Sequence, residues 1–439
     1  MSETLDPRLL AQRAELLKLR ANLVDPITGL PALPAVVEAV RRRIEAGENL
    51  GLIYLDLRSE EKIEEIFGWE TYDGLLRQMA EALTAVAPQL LKPQDILALS
   101  AVRSDEFLLF VGSRVAGGQL QHRLERTRDR LVEELAQRLR VQFDSERPRS
   151  LGIHTAALPL RCEPTVRIER TIYKTLDEAR ALCRREREQK QTLRLNELRR
   201  ILAVEGIRVR YQPIVSLVDG TVHGFEALSS GPPGDIFESP EMLFSFAEET
   251  DQIVELERLC RATAIRGAGE IGSGRKLFLN TSARGLCDPQ MLSAELLDLM
   301  GSLGLPTDNL VVELTERVAM TGNKELQHAL DRLRQRGVQF AIDDVGAGYS
   351  SLQAVAEIEP QYLKFDLSLV RDIHHSRIKQ SLLESIQTLA GKIDAQVVAE
   401  GVEQLEEFRT LRSLGVPYGQ GYLFGVPTPR PACEGRLPS

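Results

Sequence analysis

Apolar positions run in two different rhythms along this chain. From about Arg208 onward, short apolar runs alternate with helix-length amphipathic segments: VRYQPIV, HGFEALS, KLFLNTS, LVVELTE, QFAIDDV, YLKFD, AQVVAEG and GYLF. That alternation is the signature of parallel strands joined by helical crossovers. Eight such units in about 220 residues predict one (β/α)8 TIM-like barrel, whose usual size is about 250 residues, with a doubly wound open sheet as the other fold of this rhythm.

Ahead of it the pattern is mixed. Leu9, Leu10, Leu17, Leu19 and Leu23 among charged residues predict an amphipathic helix at the start. GLIYLDLRS reads as a buried strand, followed by a helix from Tyr72 to Val86. DILALSAV and DEFLLFVGS read as a hairpin broken at Arg103 and Ser104, then come a charged helix from Gln119 to Val141 and a strand at LGIHTAALPL. The charged helical stretch from Val166 to Leu202 reads as a connector. The expected division is an N-terminal helix (1–22), an α/β domain with a mainly antiparallel central sheet (23–186), a connecting helix (187–205) and the barrel (206–435).

Composition narrows the function. The 439 residues carry a net charge of -9 with no basic stripe, which argues against a duplex nucleic-acid partner. No apolar run reaches the roughly 18 residues of a membrane span, and the polar start is unlike a signal peptide, so the expected location is cytoplasmic. The five dispersed cysteines suggest neither a disulfide framework nor a zinc site.

The candidate chemistry lies where polar residues interrupt the apolar strands. Glu226, Asn280, Glu313, Asp343, Asp344, Lys364, Glu400 and Gln420 fall in or at the ends of seven of them, and in a barrel those ends share one mouth. One such acid alone is usually a helix cap. Several together repel and stay protonated unless cations neutralise them, which points to hard divalent ions, Mg²⁺ or Mn²⁺ before Zn²⁺. The adjacent pair Asp343 and Asp344 can serve two ions about 3.5 to 4 Å apart, as in displacement at phosphorus. Lys364 either positions an attacking water or forms a structural ion pair, and spacing does not choose between them. Gly346 and Gly348 after the pair permit a tight loop, for the site or merely for a turn.

At these residues the chain resembles the EAL-family cyclic di-GMP phosphodiesterases, through YQPI (211–214), EAL (226–228), LNTS (279–282), ELTE (313–316), DDVGAGYSSL (343–352), LKFD (363–366), AEGVE (399–403) and QGYLFG (420–425). The resemblance implies metal ligation by Glu226, Asn280, Glu313, Asp343, Asp344 and Glu400, with Glu400 also a candidate general base. It implies that Lys364 and Gln420 orient the water, that Glu316 anchors the glycine loop, and that Gln212, Leu228, Gly346, Tyr349 and Glu403 contact substrate. The implied reaction opens cyclic di-GMP to linear pGpG with two Mg²⁺ or Mn²⁺ ions. Two positions depart from the family: Ser230 stands where it usually has Arg, and Val345 and Ala347 alter the usual DDFGTG loop. Loss of that Arg implies binding weakened by roughly 1 to 3 kcal/mol.

The first domain resembles a GGDEF, diguanylate cyclase-like, domain through DPITGL, Asp56 in LIYLDL, Asp73 in IFGWETYDGLL and RSDEF (103–107). Arg103 and Ser104 replace the two signature glycines, Glu64 replaces a guanine-pocket Asn, and no Arg lies between Leu91 and Val102 for a product-inhibition motif. Cyclase activity is therefore not expected. The expectation is a hydrolase regulated by a degenerate first domain that binds GTP or a partner, acting as a homodimer; the alternative is a non-catalytic cyclic di-GMP receptor.

Overall fold

The computed structural model describes residues 23–57, 69–113, 118–142, 153–269, 271–272, 274–315, 324–345 and 351–431, in two compact units, Met1–Leu193 and Arg194–Ser439. The expected N-terminal helix (1–22) lies outside the described residues.

The first unit is built on four antiparallel strands, β1 (Asn49–Asp56), β2 (Ile96–Leu99), β3 (Glu106–Ser113) and β4 (His154–Pro159), in the order β2-β3-β1-β4. β1 is buried on both faces because helices cover both. Ile53 and Leu55 pack under α2 (Trp69–Leu90) and α3 (Gly118–Gln142). Leu50, Leu52 and Tyr54 pack under α1 (Leu33–Glu45) and the first part of α4 (Ile168–Ala203). The alternation of period two thus feeds two cores rather than one core and solvent. The hairpin expected around Arg103 and Ser104 is present as β2 and β3.

The second unit is a closed eight-stranded barrel, which excludes the open sheet. Its strands are β5 (Arg208–Ser216), β6 (Val222–Ser230), β7 (Lys276–Asn280), β8 (Leu310–Thr315), β9 (Gln339–Val345), β10 (Tyr362–Phe365), β11 (Gln396–Ala399) and β12 (Tyr418–Gln420). Two expectations are corrected. β5 is antiparallel to both its neighbours, β6 and β12, so the barrel is not eight parallel β/α units. The chain reverses between β5 and β6 in a tight turn, where Gly220 takes φ 78° and Asp219 Oδ1 accepts the Thr221 N–H at 3.0 Å. The run GYLF is also not a strand. β12 ends at Gln420, and Gly421 turns the chain against Val402, where a Cβ would come within 2.1 Å of a carbonyl oxygen.

Side chains alternate between the outside and the inside of the barrel. Tyr211, Phe225, Ala227, Leu279, Val312, Ile342, Leu363, Phe365 and Ala399 face the surrounding helices in the main core. Ile214, Phe278, Val311, Ala341, Tyr362 and Val398, with Tyr418 beside them, plug the barrel interior. Everything above that apolar plug is free to be polar.

Candidate functional site

Two residues nearer the mouth than the plug, each of the eight strands, or for β11 the residue just after it, turns one polar side chain inward: Gln212, Glu226, Asn280, Glu313, Asp343, Lys364, Glu400 and Gln420. β5 obeys the rule in reverse, because its N-terminal end is the one at the mouth. A strand normally sends neighbours to opposite faces, so Asp344 should point away from Asp343. Instead Asp344 adopts φ 58°, and the register of β9 against β10 shifts at the same level. That bulge brings carboxylate oxygens of Asp343, Asp344 and Glu400 all within 4.8 Å of one another.

Lys364, only 1 % exposed, is the hub. Its Nζ lies 2.5 Å from Glu400 Oε1, 2.8 Å from Glu313 Oε1, 3.2 Å from Glu226 Oε2 and 3.4 Å from Asp343 Oδ1. Burial opposes its charge, but four carboxylates outweigh that and hold the ammonium well above its ordinary range. The acids divide. Glu226 accepts Gln420 Nε2 at 2.7 Å and Asn280 Nδ2 at 2.8 Å. Burial works against its ionisation, yet Lys364 and the two amides hold its carboxyl below the usual range. Burial, then the charge of Glu226, drives Glu313 well up, and burial with Asp343 and Glu226 pushes Glu400 up to about 8. One cation does not balance this set. Neither Glu313 oxygen nor Asp343 Oδ1 accepts a hydrogen bond, although both residues are drawn towards Lys364. Buried oxygens left without partners in a site of carboxylate donors fit a hard divalent cation. Asn280, by donating its Nδ2 to Glu226, keeps its carbonyl oxygen available as a further donor atom.

A family model described as "EAL domain" matches residues 195–427. The chain belongs to the EAL domain family. Among curated proteins, it is 30% identical over 436 residues to the cyclic di-GMP phosphodiesterase PdeR of Escherichia coli (strain K12), spanning 96% of this chain and 64% of that one. It is 29% identical over 441 residues to the cyclic di-GMP phosphodiesterase NbdA of Pseudomonas aeruginosa, spanning 93% of this chain and 53% of that one. The chain therefore spans less than two thirds of the length of either relative. Among solved structures, the Xanthomonas citri FimX EAL domain in complex with c-diGMP matches with a TM-score of 0.51 at 25% identity, covering 56% of this chain and 97% of that one.

The EAL barrel brings all the expected ligands and both water-orienting candidates to one place. Gln212 joins them, accepting Gln420 Nε2 at 3.0 Å. Leu228 lies half-buried one inward position above Glu226, and Glu403 is exposed beyond Glu400 with its backbone N–H on Glu407. Glu316, Gly346 and Tyr349 lie outside the described residues. One contributor went unread in the sequence. Glu407 is only 1 % exposed and accepts the N–H groups of Asp372, Glu403 and Gln404, pinning the loop that follows Glu400. Gln404-x-x-Glu407 forms a capping box, a spacing visible in the sequence.

The acids of the first unit are furnished differently. Arg180 grips Glu106 through Nε at 3.0 Å and Nη2 at 2.6 Å, Tyr54 adds a hydroxyl at 2.8 Å, and Arg187 reaches Asp56 at 3.3 Å. Both arginines come from α4. Arg103 takes a φ of 59°, in the left-handed region that favours glycine, and gives its N–H to Asp25. Among the described residues no helix is long and apolar enough to cross a membrane.

Proposed function

We propose that this chain is a divalent-metal-dependent phosphodiesterase that hydrolyses cyclic di-GMP to linear pGpG, with a degenerate GGDEF-like first unit in a regulatory role. The observation that carries the reading is the ring of eight inward polar residues around Lys364, with more carboxylate than one ammonium can neutralise. The names of PdeR and NbdA, and the ligand of the FimX domain, support cyclic di-GMP as the substrate. Glu226, Asn280, Glu313, Asp343, Asp344 and Glu400 would hold Mg²⁺ or Mn²⁺. Bound there, such ions lower the pKa of water and screen a dianionic substrate from the acids.

In the reaction one water adds across a P–O3′ bond: its oxygen joins phosphorus, the 3′ oxygen leaves with a proton, and the product keeps a 5′ phosphate. Glu400, held against Lys364 Nζ, is the general base in this reading and would take the other proton once bound cations keep its carboxylate ionised. Lys364 stays charged, so it acts by donation and not as a base, holding Glu400 and the water in place. Gln420 bridges Glu226 and Gln212, fixing the carboxylate's second oxygen. Glu316, Gly346, Tyr349, Leu228 and Glu403 complete the loop and the substrate contacts in this reading.

In the first unit, Arg187 reaches Asp56, one of the two acids, with Asp105, that could hold a metal in a cyclase-like site, which supports regulation over synthesis. Purified chain with cyclic di-GMP and Mg²⁺ or Mn²⁺ should yield pGpG by chromatography, and chelation or Glu226→Ala should abolish it. Binding without product would establish the receptor reading that Ser230 favours. GTP alone should yield no cyclic di-GMP.

A further inference from the structure

Because β5 runs against its neighbours, its first residues, not its last, stand at the mouth, and they are arginines. The parity of the strand is settled by its contacts. Val209 packs among the outer hydrophobic residues and Tyr211 gives its hydroxyl to Ala264 O of the covering helix at 2.7 Å. Gln212 and Ile214 face inward, to Gln420 and the apolar plug. Arg210 and Arg208 share the inward parity and lie one and two positions above Gln212. Cross-strand, Arg210 pairs with Leu228 and Arg208 with Ser230. Both are exposed, and neither makes a hydrogen bond or ion pair with any described residue.

Two arginines without carboxylate partners, at the rim of a mouth lined by carboxylates, are notable on charge alone. Neither guanidinium is paired with any of those acids among the described residues, so the rim cations remain available for a ligand. A guanidinium presents a rigid fork that matches the two free oxygens of a phosphodiester. Resting on the reading of this site as a cyclic dinucleotide phosphodiesterase, we propose that Arg210, supported by Arg208, is the cationic grip on the substrate phosphodiester. It supplies from β5 the charge that Ser230 cannot supply from the facing strand.

The test uses the full chain with cyclic di-GMP and Mg²⁺ as probe, measuring KM and kcat by pGpG release and Kd by equilibrium dialysis. Variants are Arg210→Gln, Arg208→Gln, the double variant, Arg210→Gln with Ser230→Arg, and Arg409→Gln as an exposed control on the helix that follows β11. Thermal unfolding verifies that each folds. Arg210→Gln should raise KM and Kd roughly tenfold or more with kcat within about twofold, the range for losing a charge-assisted contact. Arg208→Gln should have a smaller effect, Ser230→Arg should recover most of the loss, and Arg409→Gln should change nothing. The salt dependence of Kd should flatten in the double variant. KM and Kd within twofold of wild type in Arg210→Gln, or a fall in kcat at constant KM, would overturn the proposal. A wild type that binds without turnover refutes only the enzymatic reading, since Kd still tests Arg210; one that does not bind refutes both.

Discussion

Replacing Arg180 by Met removes the cation from a nearly buried glutamate and tests how the first unit neutralises its own acids. Glu106 has 5 % side-chain exposure, and Arg180, 36 % exposed, closes on it with two hydrogen bonds. Burial resists ionisation of Glu106, but Arg180, Ser100 and Tyr54 outweigh it and push the carboxyl down to about 2. Against an ordinary glutamate near about 4.3, at about 1.4 kcal/mol per pH unit, linkage sets an upper bound of about 3 kcal/mol. Screening at the half-open arginine reduces this to about 1.5 to 2.5 kcal/mol. The folded-state value is depressed, so this stability is fully present above about pH 4.3 and is lost as pH falls towards 2. In Arg180→Met the carboxyl is buried without its cation and rises above its ordinary value, so acid relieves the strain instead of adding to it. The deficit of the variant should therefore be about 2 kcal/mol at pH 7 and shrink markedly by pH 3.5. Hydrogen exchange of peptides covering β1 and β3 reads this unit separately from the barrel. Adding Glu106→Gln should recover part of the loss. An equal deficit at both pH values, or none at pH 7, would refute the reasoning.

Lys364→Met should cost about 3 to 5 kcal/mol in metal-free chain by leaving buried carboxylates without their ammonium, with saturating Mn²⁺ restoring part of it in thermal melts and activity remaining absent. Gly421→Ala should place a Cβ against the Val402 carbonyl, destabilise by about 1 to 3 kcal/mol, and reduce kcat at least tenfold by shifting Gln420, measured by melts and pGpG release. Chelation with EDTA should lower the melting temperature of the wild type but not of Glu226→Ala, and Mg²⁺ at about 100 times its Kd should return about 2.7 kcal/mol.

Much of the barrel site was legible because its polar residues interrupt apolar strands at positions that alternation turns inward. Glu226, Asn280, Glu313, Asp343, Lys364, Glu400 and Gln420 all occupy that level. The antiparallel β5 was not read, although Asp219-Gly220 between two apolar runs is a strong hairpin signal. Length misled there, since β5 and β6 each look like one strand of a longer β/α unit. GYLF was read as a strand from its composition, but the close approach of Gly421 to Val402 is a tertiary constraint that no local pattern reports. The αL turn at Asp344 is of the same kind: adjacency of two aspartates said nothing of the bulge that lets both reach the mouth. Nor could pattern reveal that α4 carries Arg180 and Arg187 back to Glu106 and Asp56, 74 and 131 residues away in sequence.

In the proposed reaction the mouth around Lys364 adds one water to a phosphodiester with the help of divalent ions. Turnover of cyclic di-GMP by the full chain in ¹⁸O-water with Mg²⁺, followed by mass spectrometry of the product, tests it most directly. One ¹⁸O is expected in the 5′ phosphate of pGpG, and no product from Glu226→Ala or in EDTA. Release of unlabelled pGpG, or labelled product undiminished in Glu226→Ala, would contradict it.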